Sequence, residues 1–122
     1  MPDVERYLKK LDRELRTGLL SLLVLRGIQG NARARYGYRI IEQLKEKSNG
    51  NLVLPEGTVY PLLHALESHG LVQTEWVESD SGPPRKYYEI TPHGEEALRH
   101  ALILWRDLVA STESILGGMD VG

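Results

Sequence analysis

Three side chains between positions 55 and 70 have the types and the spacing needed to hydrogen-bond phosphates and base edges. Thr58, Tyr60 and His64 fall within two turns of a predicted helix. A threonine can contact a thymine methyl group or a phosphate, and tyrosine and histidine can reach phosphates or base edges. The ordinary alternatives are that Tyr60 packs half in the core and that His64 is a solvated surface residue. The segment has no arginine or lysine, so we expect phosphate anchors elsewhere and a contribution from DNA shape to specificity.

Four basic residues on either side of this segment could anchor phosphates. Arg85 and Lys86 follow a predicted turn between two strands. Arg33 and Arg35 precede a predicted helix, whose N-terminus itself favours phosphate. The alternative for each of the four is a solvated surface charge. The net charge of -2 argues weakly against a nucleic-acid partner, but the basic residues concentrate between positions 26 and 47 and the C-terminal third is acidic. That distribution is compatible with DNA binding.

The hydrophobic pattern before position 70 predicts helices. Residues 3–28 carry an apolar stripe with steps of three and four, and Gly18 is a candidate break that would divide this stretch into two helices. Residues 29–36 are predicted as a loop and residues 37–48 as a helix. Pro55 is well placed as the first residue of the next helix, and Pro61 is expected to weaken or bend that helix near its start. The stripe consists of Val4, Leu8, Leu11, Leu15, Leu19, Leu22 and Leu25.

The pattern after position 70 changes to that of two strands. Val72, Thr74 and Trp76 alternate with their neighbours, residues 80–84 are predicted as the turn, and the second strand covers 85–91. Thr91 is a predicted cap for a helix that begins at Pro92 and runs to about position 116. A helix followed by a two-stranded ribbon is the reading half of a winged helix-turn-helix. We therefore predict an α+β fold, mostly α, with a two-stranded wing and a long C-terminal dimerisation helix.

The C-terminal helix would be about 37 Å long, too long for one small core to bury its apolar seam. We expect a homodimer in which this seam, with Leu8 and Leu11 of the first stripe, is buried between chains. Trp105 is expected near the two-fold axis, where it and Leu102 would form a flat apolar slot for a small hydrophobic or aromatic effector. The alternative for Trp105 is ordinary dimer core. The seam residues predicted in the interface are Leu98, Leu102, Trp105, Val109 and Leu116.

The composition excludes several other classes of protein. The chain of 122 residues has no cysteine, which removes disulfides, thiol catalysis and thiolate metal sites. No apolar run approaches the roughly 20 residues of a membrane span, and the N-terminus lacks the apolar region of a signal peptide. We therefore expect a soluble, cytoplasmic protein. No hydrolase, P-loop or zinc-protease motif is present, and His93 and His100 are expected on the surface. We predict no enzyme activity, no cofactor and no metal site.

Three groups of residues, in this order and spacing, resemble the PadR-like family of transcriptional regulators. They are Gly37-Tyr38, then Pro55-x-Gly57-Thr58-Val59-Tyr60-Pro61 continuing to Gly70-Leu71, then Arg85-Lys86-Tyr87-Tyr88-x-Ile90-Thr91-x-x-Gly94. The resemblance covers about residues 17–116. It implies a winged-helix repressor that binds an operator in double-stranded DNA as a homodimer and often responds to small molecules.

Within this frame we add Tyr38 to the predicted DNA-binding residues. We predict that residues 1–91 form the DNA-binding domain and that residues 92–122 form the dimerisation helix and tail. We predict a sequence-specific DNA-binding transcriptional regulator, a repressor released by a small hydrophobic or aromatic effector. The alternative is a winged-helix interaction or architectural DNA-binding module without an effector.

Overall fold

Four helices and a two-stranded antiparallel ribbon make up the described part of the chain. The computed structural model describes residues 1–30 and 36–122. Within these two ranges, every helix is too short or too polar to span a bilayer. The predicted winged-helix fold, α+β and mostly helical, is confirmed. In chain order the elements are α1 (Val4–Gln29), α2 (Gly37–Lys47), α3 (Glu56–Ser68), β1 (Val72–Ser79), β2 (Gly82–Ile90) and α4 (Pro92–Leu116).

Helix α1 is a single unbroken helix, so the predicted break at Gly18 is wrong. The side chain of Asp3 accepts a hydrogen bond of 2.9 Å from a backbone N–H of the first turn and thereby caps the start of the helix. An interior glycine costs about 1 kcal/mol. The turns after it offset that cost, because Leu20, Val24 and Ile28 are buried in the core.

The predicted stripe of α1 turns out to be a second apolar face. Leu25 is buried in the core, but Leu19 and Leu22 line a groove beside α4, and Leu8 and Leu15 are exposed. The positions that do face the core, 20, 24 and 28, lie one residue further along, which is about 100° around a helix. Helix α1 therefore has one apolar face in the core and a second apolar face, part of which lines the groove beside α4.

The core lies between α1, α2, α3 and the inner side of the ribbon. Pro55 is the residue before α3 rather than its first residue, and its carbonyl accepts from Thr58 N and Val59 N at 2.9 and 3.1 Å. Pro61 lies inside α3, and the helix continues past it to Ser68. The largest fully buried side chains are Val24, Ile28, Ile40, Val59 and Leu63.

Strands β1 and β2 form the wing, which is longer than predicted. Its turn is only two residues, 80 and 81, so Pro83 and Pro84 belong to β2 and the predicted turn over 80–84 is wrong at its C-terminal side. Prolines are tolerated there because an edge strand turns every second N–H away from its partner, and because the regular pairing is interrupted opposite Pro83 and Pro84. The pairing is regular from Val72 opposite Ile90 as far as Val77, and shifts register before the tip.

Helix α4 begins as predicted. The Thr91 hydroxyl accepts from Gly94 N at 3.0 Å, and Pro92 occupies the first turn. Gly94 packs against the Leu71 carbonyl so closely that a Cβ at this position would overlap it. Leu98 is buried in the same core as α1 and α3. The first two turns of α4 thus pack on the winged-helix core, and the remaining turns extend beyond it.

Candidate nucleic-acid interface

Helix α3 divides its side chains between the core and the surface. Val59 and Leu63 point inward and are fully buried. Thr58, Tyr60 and His64 are exposed, as a recognition helix requires. The local reason is the spacing of three and four between the apolar residues, which leaves the intervening positions on the outer side. The structure therefore presents all three predicted contacts to solvent.

Tyr60 combines the two interpretations made for it. Its side chain is 43% exposed, and its ring lies across the start of α2, where a Cβ on Gly37 would stand 2.6 Å from the ring carbon Cε1. Only a glycine at position 37 allows this approach. Burial of the ring, with a smaller effect of the Glu56 carboxylate, raises the pKa of the Tyr60 hydroxyl. The hydroxyl is therefore neutral at pH 7 and can donate a hydrogen bond.

A groove of about 500 Å³ runs between α3 and the wing. We call it the wing groove. It brings Tyr60 and His64 of α3 together with Arg85 and Lys86 of β2, so four of the predicted site residues share one surface. Its lining consists of Tyr36, Gly37, Tyr60, His64, Trp76, Pro84, Arg85, Lys86 and Tyr88.

Lys86 is tied to α3 by a polar contact that the sequence did not reveal. Its Nζ donates to Oε1 of Glu67 at 3.2 Å, and the hydroxyl of Thr74 on β1 donates to Oε2 of the same carboxylate at 2.6 Å. The Thr74 hydrogen bond and then the Lys86 contact lower the pKa of Glu67. Glu67 therefore joins α3 to both strands of the wing, and the charge of Lys86 is already matched within the chain.

Arg85 precedes Lys86 on β2 and is held by an aromatic ring. Its guanidinium carbon is 4.6 Å from the centroid of the Tyr36 ring, a cation–π contact. Tyr36 in turn meets Tyr87 edge to face, with the ring centroids 5.6 Å apart, and their backbones form a β-bridge. Within the described residues Arg85 has no carboxylate partner, so its charge remains available to an anion.

The remaining predicted contacts lie outside the wing groove. Thr58 is on the exposed side of α3 but does not line the groove. Tyr38 is exposed on α2, where a hydrogen bond to Glu42 raises its pKa. Arg39 donates to the same carboxylate at 2.9 Å. The loop that carries Arg33 and Arg35 lies outside the described residues.

The sequence missed Tyr36, Glu67 and Trp76 as parts of this surface. Tyr36 falls within the predicted loop of residues 29–36. A signal was present in the alternation of β1 and β2, because it places Thr74 and Trp76 on the same side of the wing as the buried Tyr88. No other local pattern links these residues, since the contacts join positions far apart along the chain.

The predicted dimer and effector residues lie on a second surface, formed by α1 and α4. Leu102 and Trp105 line an apolar groove of about 460 Å³ between the two helices, which we call the seam groove. They are 36% and 38% exposed in the single chain, whereas Leu98 is 7% exposed and belongs to the core. Val109 and Leu116 are exposed further along α4, Leu8 is exposed on α1, and Leu11 is half-buried there. Arg26, Arg99 and Arg106 also line the seam groove.

In the ranges that the structure describes, no group of histidine and carboxylate side chains could hold a metal ion. The exposed helix α3 beside a two-stranded wing, with Arg85 facing the groove, defines the class of winged-helix DNA-binding regulators. The sequence profile of the family described as "Transcriptional regulator PadR-like family" matches residues 24–100. The chain belongs to this family, and the predicted membership is confirmed.

Solved structures of PadR-like regulators resemble most of the chain. A PadR family transcriptional regulator from Eggerthella lenta is 32% identical and superposes with a TM-score of 0.80 over 94% of this chain and 96% of its own. A PadR-like transcription factor from Bacteroides fragilis is 36% identical, with a TM-score of 0.68 over 87% and 98%. A PadR-like transcriptional regulator from Bacillus cereus is 28% identical, with a TM-score of 0.70 over 87% and 99%. These relatives support a DNA-binding transcriptional regulator.

Proposed function

We propose that the protein is a cytoplasmic repressor that binds operator DNA as a homodimer and is released by a small hydrophobic or aromatic effector. The observation that carries the DNA-binding part is the surface formed by α3 and the wing. It presents Thr58, Tyr60 and His64 from the helix beside Arg85 from the wing. In this proposal residues 1–91 read the DNA, residues 92–122 hold the dimer together, and the protein has no catalytic step.

The exposed apolar side chains of α4 support the homodimer. Beyond Leu98 the helix continues for almost five turns with Leu102, Trp105 and Val109 on one side, all between 36% and 39% exposed. A contiguous apolar surface of this kind marks a protein–protein contact. The second face of α1, which includes Leu8 and Leu11, continues the same surface, so a second chain can cover both helices at once.

The effector site is proposed where Leu102 and Trp105 meet the seam groove. A half-exposed indole on an apolar wall is suited to stacking with a flat ligand. An effector bound between two chains would change the separation of the two α3 helices. Successive half-sites lie about 34 Å apart on one side of DNA, so a small rotation at the seam would move α3 of one chain out of its half-site.

The experiment that tests this function is DNA binding by the intact protein, measured by fluorescence anisotropy. The specific probe is duplex DNA from upstream of the protein's own gene, and a scrambled duplex of equal length is the control. We expect tighter binding to the upstream duplex and its loss on addition of planar aromatic compounds. Equal binding to both duplexes, unaffected by such compounds, would instead support an architectural or interaction module without an effector.

The variant Trp105→Ala tests the effector site separately from DNA binding. In the wild-type protein a planar aromatic dye should quench tryptophan fluorescence by stacking on Trp105, with Trp76 giving a constant background. We expect Trp105→Ala to abolish both the quenching and the dye-induced release of DNA. Quenching that persists in this variant would show that the dye binds elsewhere, and the proposed effector site would be wrong.

A further inference from the structure

We propose that Trp76 is a DNA-binding residue, and that the wing groove holds the sugar–phosphate backbone of one strand of duplex DNA. This inference rests on the proposed DNA binding and goes beyond it by assigning the groove and a residue whose side chain is mostly apolar. Trp76 is two-thirds of the way along β1, on the side of the wing that faces α3. It would supply an apolar contact to deoxyribose beside the polar contacts of the recognition helix.

The exposure of Trp76 is the first observation. Its side chain is 67% exposed in the wing groove. Two residues earlier on the same side of β1, Thr74 is half-buried and bonded to Glu67 of α3. The inner side of the wing is therefore covered by α3 near its base and uncovered at Trp76. Aromatic residues left exposed on a structured surface are enriched at interfaces, because they supply a large contact area with few rotatable bonds.

The second observation is that the indole lies next to a fixed cation. Trp76 is directly opposite Lys86 in the ribbon. The Lys86 Nζ lies 6.0 Å from the centroid of the Trp76 ring and 5.8 Å from that of Tyr88, while it remains bonded to Glu67. The ammonium group thus stands between two rings and is anchored from α3. A wall held in this way loses little conformational entropy when a ligand binds.

Charge and shape together select the occupant. A DNA strand presents phosphate anions alternating with apolar sugar rings along its outer side. The wing groove offers Arg85 and His64 for phosphates, with Trp76 and Pro84 as apolar parts of its lining. One wall of the wing groove is α3 itself. When α3 enters the major groove of DNA, the DNA strand at the edge of that major groove would therefore lie in the wing groove. The bases of a duplex are paired inside, and the indole therefore packs on sugar rather than on a base.

The test compares Trp76→Ala with Val77→Ala, the next residue on the same strand, which does not line the wing groove. Trp76→Ala should weaken binding to the upstream duplex and to the scrambled duplex by the same factor, about tenfold. The slope of log affinity against log salt should stay unchanged, because no phosphate contact is lost. Val77→Ala should bind within about twofold of wild type. Thermal unfolding followed by circular dichroism establishes that both variants fold.

A spectroscopic measurement on the unmutated chain makes the test independent of folding. The protein has two tryptophans, so 5-fluorotryptophan gives two fluorine resonances, and Trp76→Phe assigns them. Saturating duplex DNA should shift or broaden the Trp76 resonance. A Trp76 resonance that does not move while the wild-type protein binds duplex, or wild-type affinity in a folded Trp76→Ala, overturns this inference and leaves the proposed function standing.

Two further outcomes also decide the inference. A Trp76 resonance that responds to single-stranded DNA but not to duplex would assign the groove to base stacking and overturn the sugar–phosphate assignment. Failure of the wild-type protein to bind any duplex would overturn both the proposed function and this inference.

Discussion

The α3–wing surface and the α1–α4 surface are both exposed, but they differ in how their side chains are held. In the first, polar and aromatic contacts within one chain fix the side chains: Glu67 holds Lys86, and Tyr36 holds Arg85. In the second, Leu102 and Trp105 line an apolar groove and extend toward solvent. The side chains of the first surface are held within a single chain, and the second surface leaves apolar side chains exposed.

This difference matches what each of the two proposed partners, duplex DNA and a second copy of the chain, requires of the surface that binds it. A rigid partner such as duplex DNA is bound best by side chains already fixed in place, because ordering them on binding would cost affinity. In the proposed homodimer a second copy of the chain would bring its own apolar surface, so the side chains would be fixed when the two copies meet. Variants should therefore damage one surface without the other, except where a residue supports both.

Leu98 supports both surfaces, and its truncation should have the largest effect. Leu98→Ala removes a 7% exposed side chain from the core at the root of α4. We expect a loss of about 2–5 kcal/mol in the free energy of unfolding, measured by urea denaturation. The control is Ile103→Ala on an exposed part of the same helix, which should cost about 0.5 kcal/mol or less. Equal losses in the two variants would contradict the placement of Leu98 in the core.

Leu102→Asp should damage the α1–α4 surface alone. A carboxylate in an apolar dimer seam is desolvated without a partner, so the dimer dissociation constant should rise by at least about a hundredfold, or about 2.7 kcal/mol. Sedimentation velocity should then show monomers with an unchanged circular dichroism spectrum. Ile103→Asp, one residue further along, serves as the control. A dimer of normal strength in Leu102→Asp would locate the interface elsewhere.

Thr58→Ala should damage the α3–wing surface alone, and only on the preferred site. Thr58 is exposed in the first turn of α3, the end of a recognition helix that normally contacts base edges. We expect a cost of about 1–3 kcal/mol on the upstream duplex and little on the scrambled one, by anisotropy titration. If both duplexes weaken equally, Thr58 positions the helix on phosphates and the sequence preference comes from DNA shape.

Glu67→Gln should have the smallest effect, and it should depend on pH. The pKa of Glu67 is lowered from 4.5 in the folded chain, so its ionised form favours the folded state. The stability that it contributes is fully present above pH 4.5 and is lost as the pH falls through the lowered value. Wild type should therefore resist urea better than Glu67→Gln near pH 7, with a difference that disappears at acid pH. A difference that grows on acidification would contradict the contact.

Much of the fold could be predicted because its signals are local. The Thr91-Pro92 cap, the alternation of β1 and the apolar spacing of α3 each fall within a few residues. The break at Gly18 was predicted wrongly for the opposite reason: the packing that offsets a glycine involves residues from other helices. The extra strand length at Pro83 was missed because proline is a turn signal by itself, whereas its tolerance depends on the strand being an edge.

The residues of the candidate site could be predicted from the sequence, but the contacts between them could not. Exposure of Thr58, Tyr60 and His64 follows from the helical period. The pairing of Lys86 with Glu67 does not, because the two residues are 19 positions apart and meet only after the wing folds against α3. Likewise, Leu98 and Leu102 have the same place in the α4 repeat, but only the structure distinguishes the one that its own chain covers.

The shape of the wing tip has a consequence for the behaviour of the protein in concentrated solution. Both strands of a two-stranded ribbon expose an edge, and an exposed edge can recruit a strand from another molecule and begin aggregation. Near the tip, Pro83 and Pro84 have no N–H to offer, and the register shift between Val77 and Ser79 interrupts the regular spacing of the backbone groups. A strand arriving from a neighbouring molecule therefore finds no continuous row of partners there. In the proposed DNA complex the wing would therefore project toward DNA without offering its tip as an edge for strand pairing.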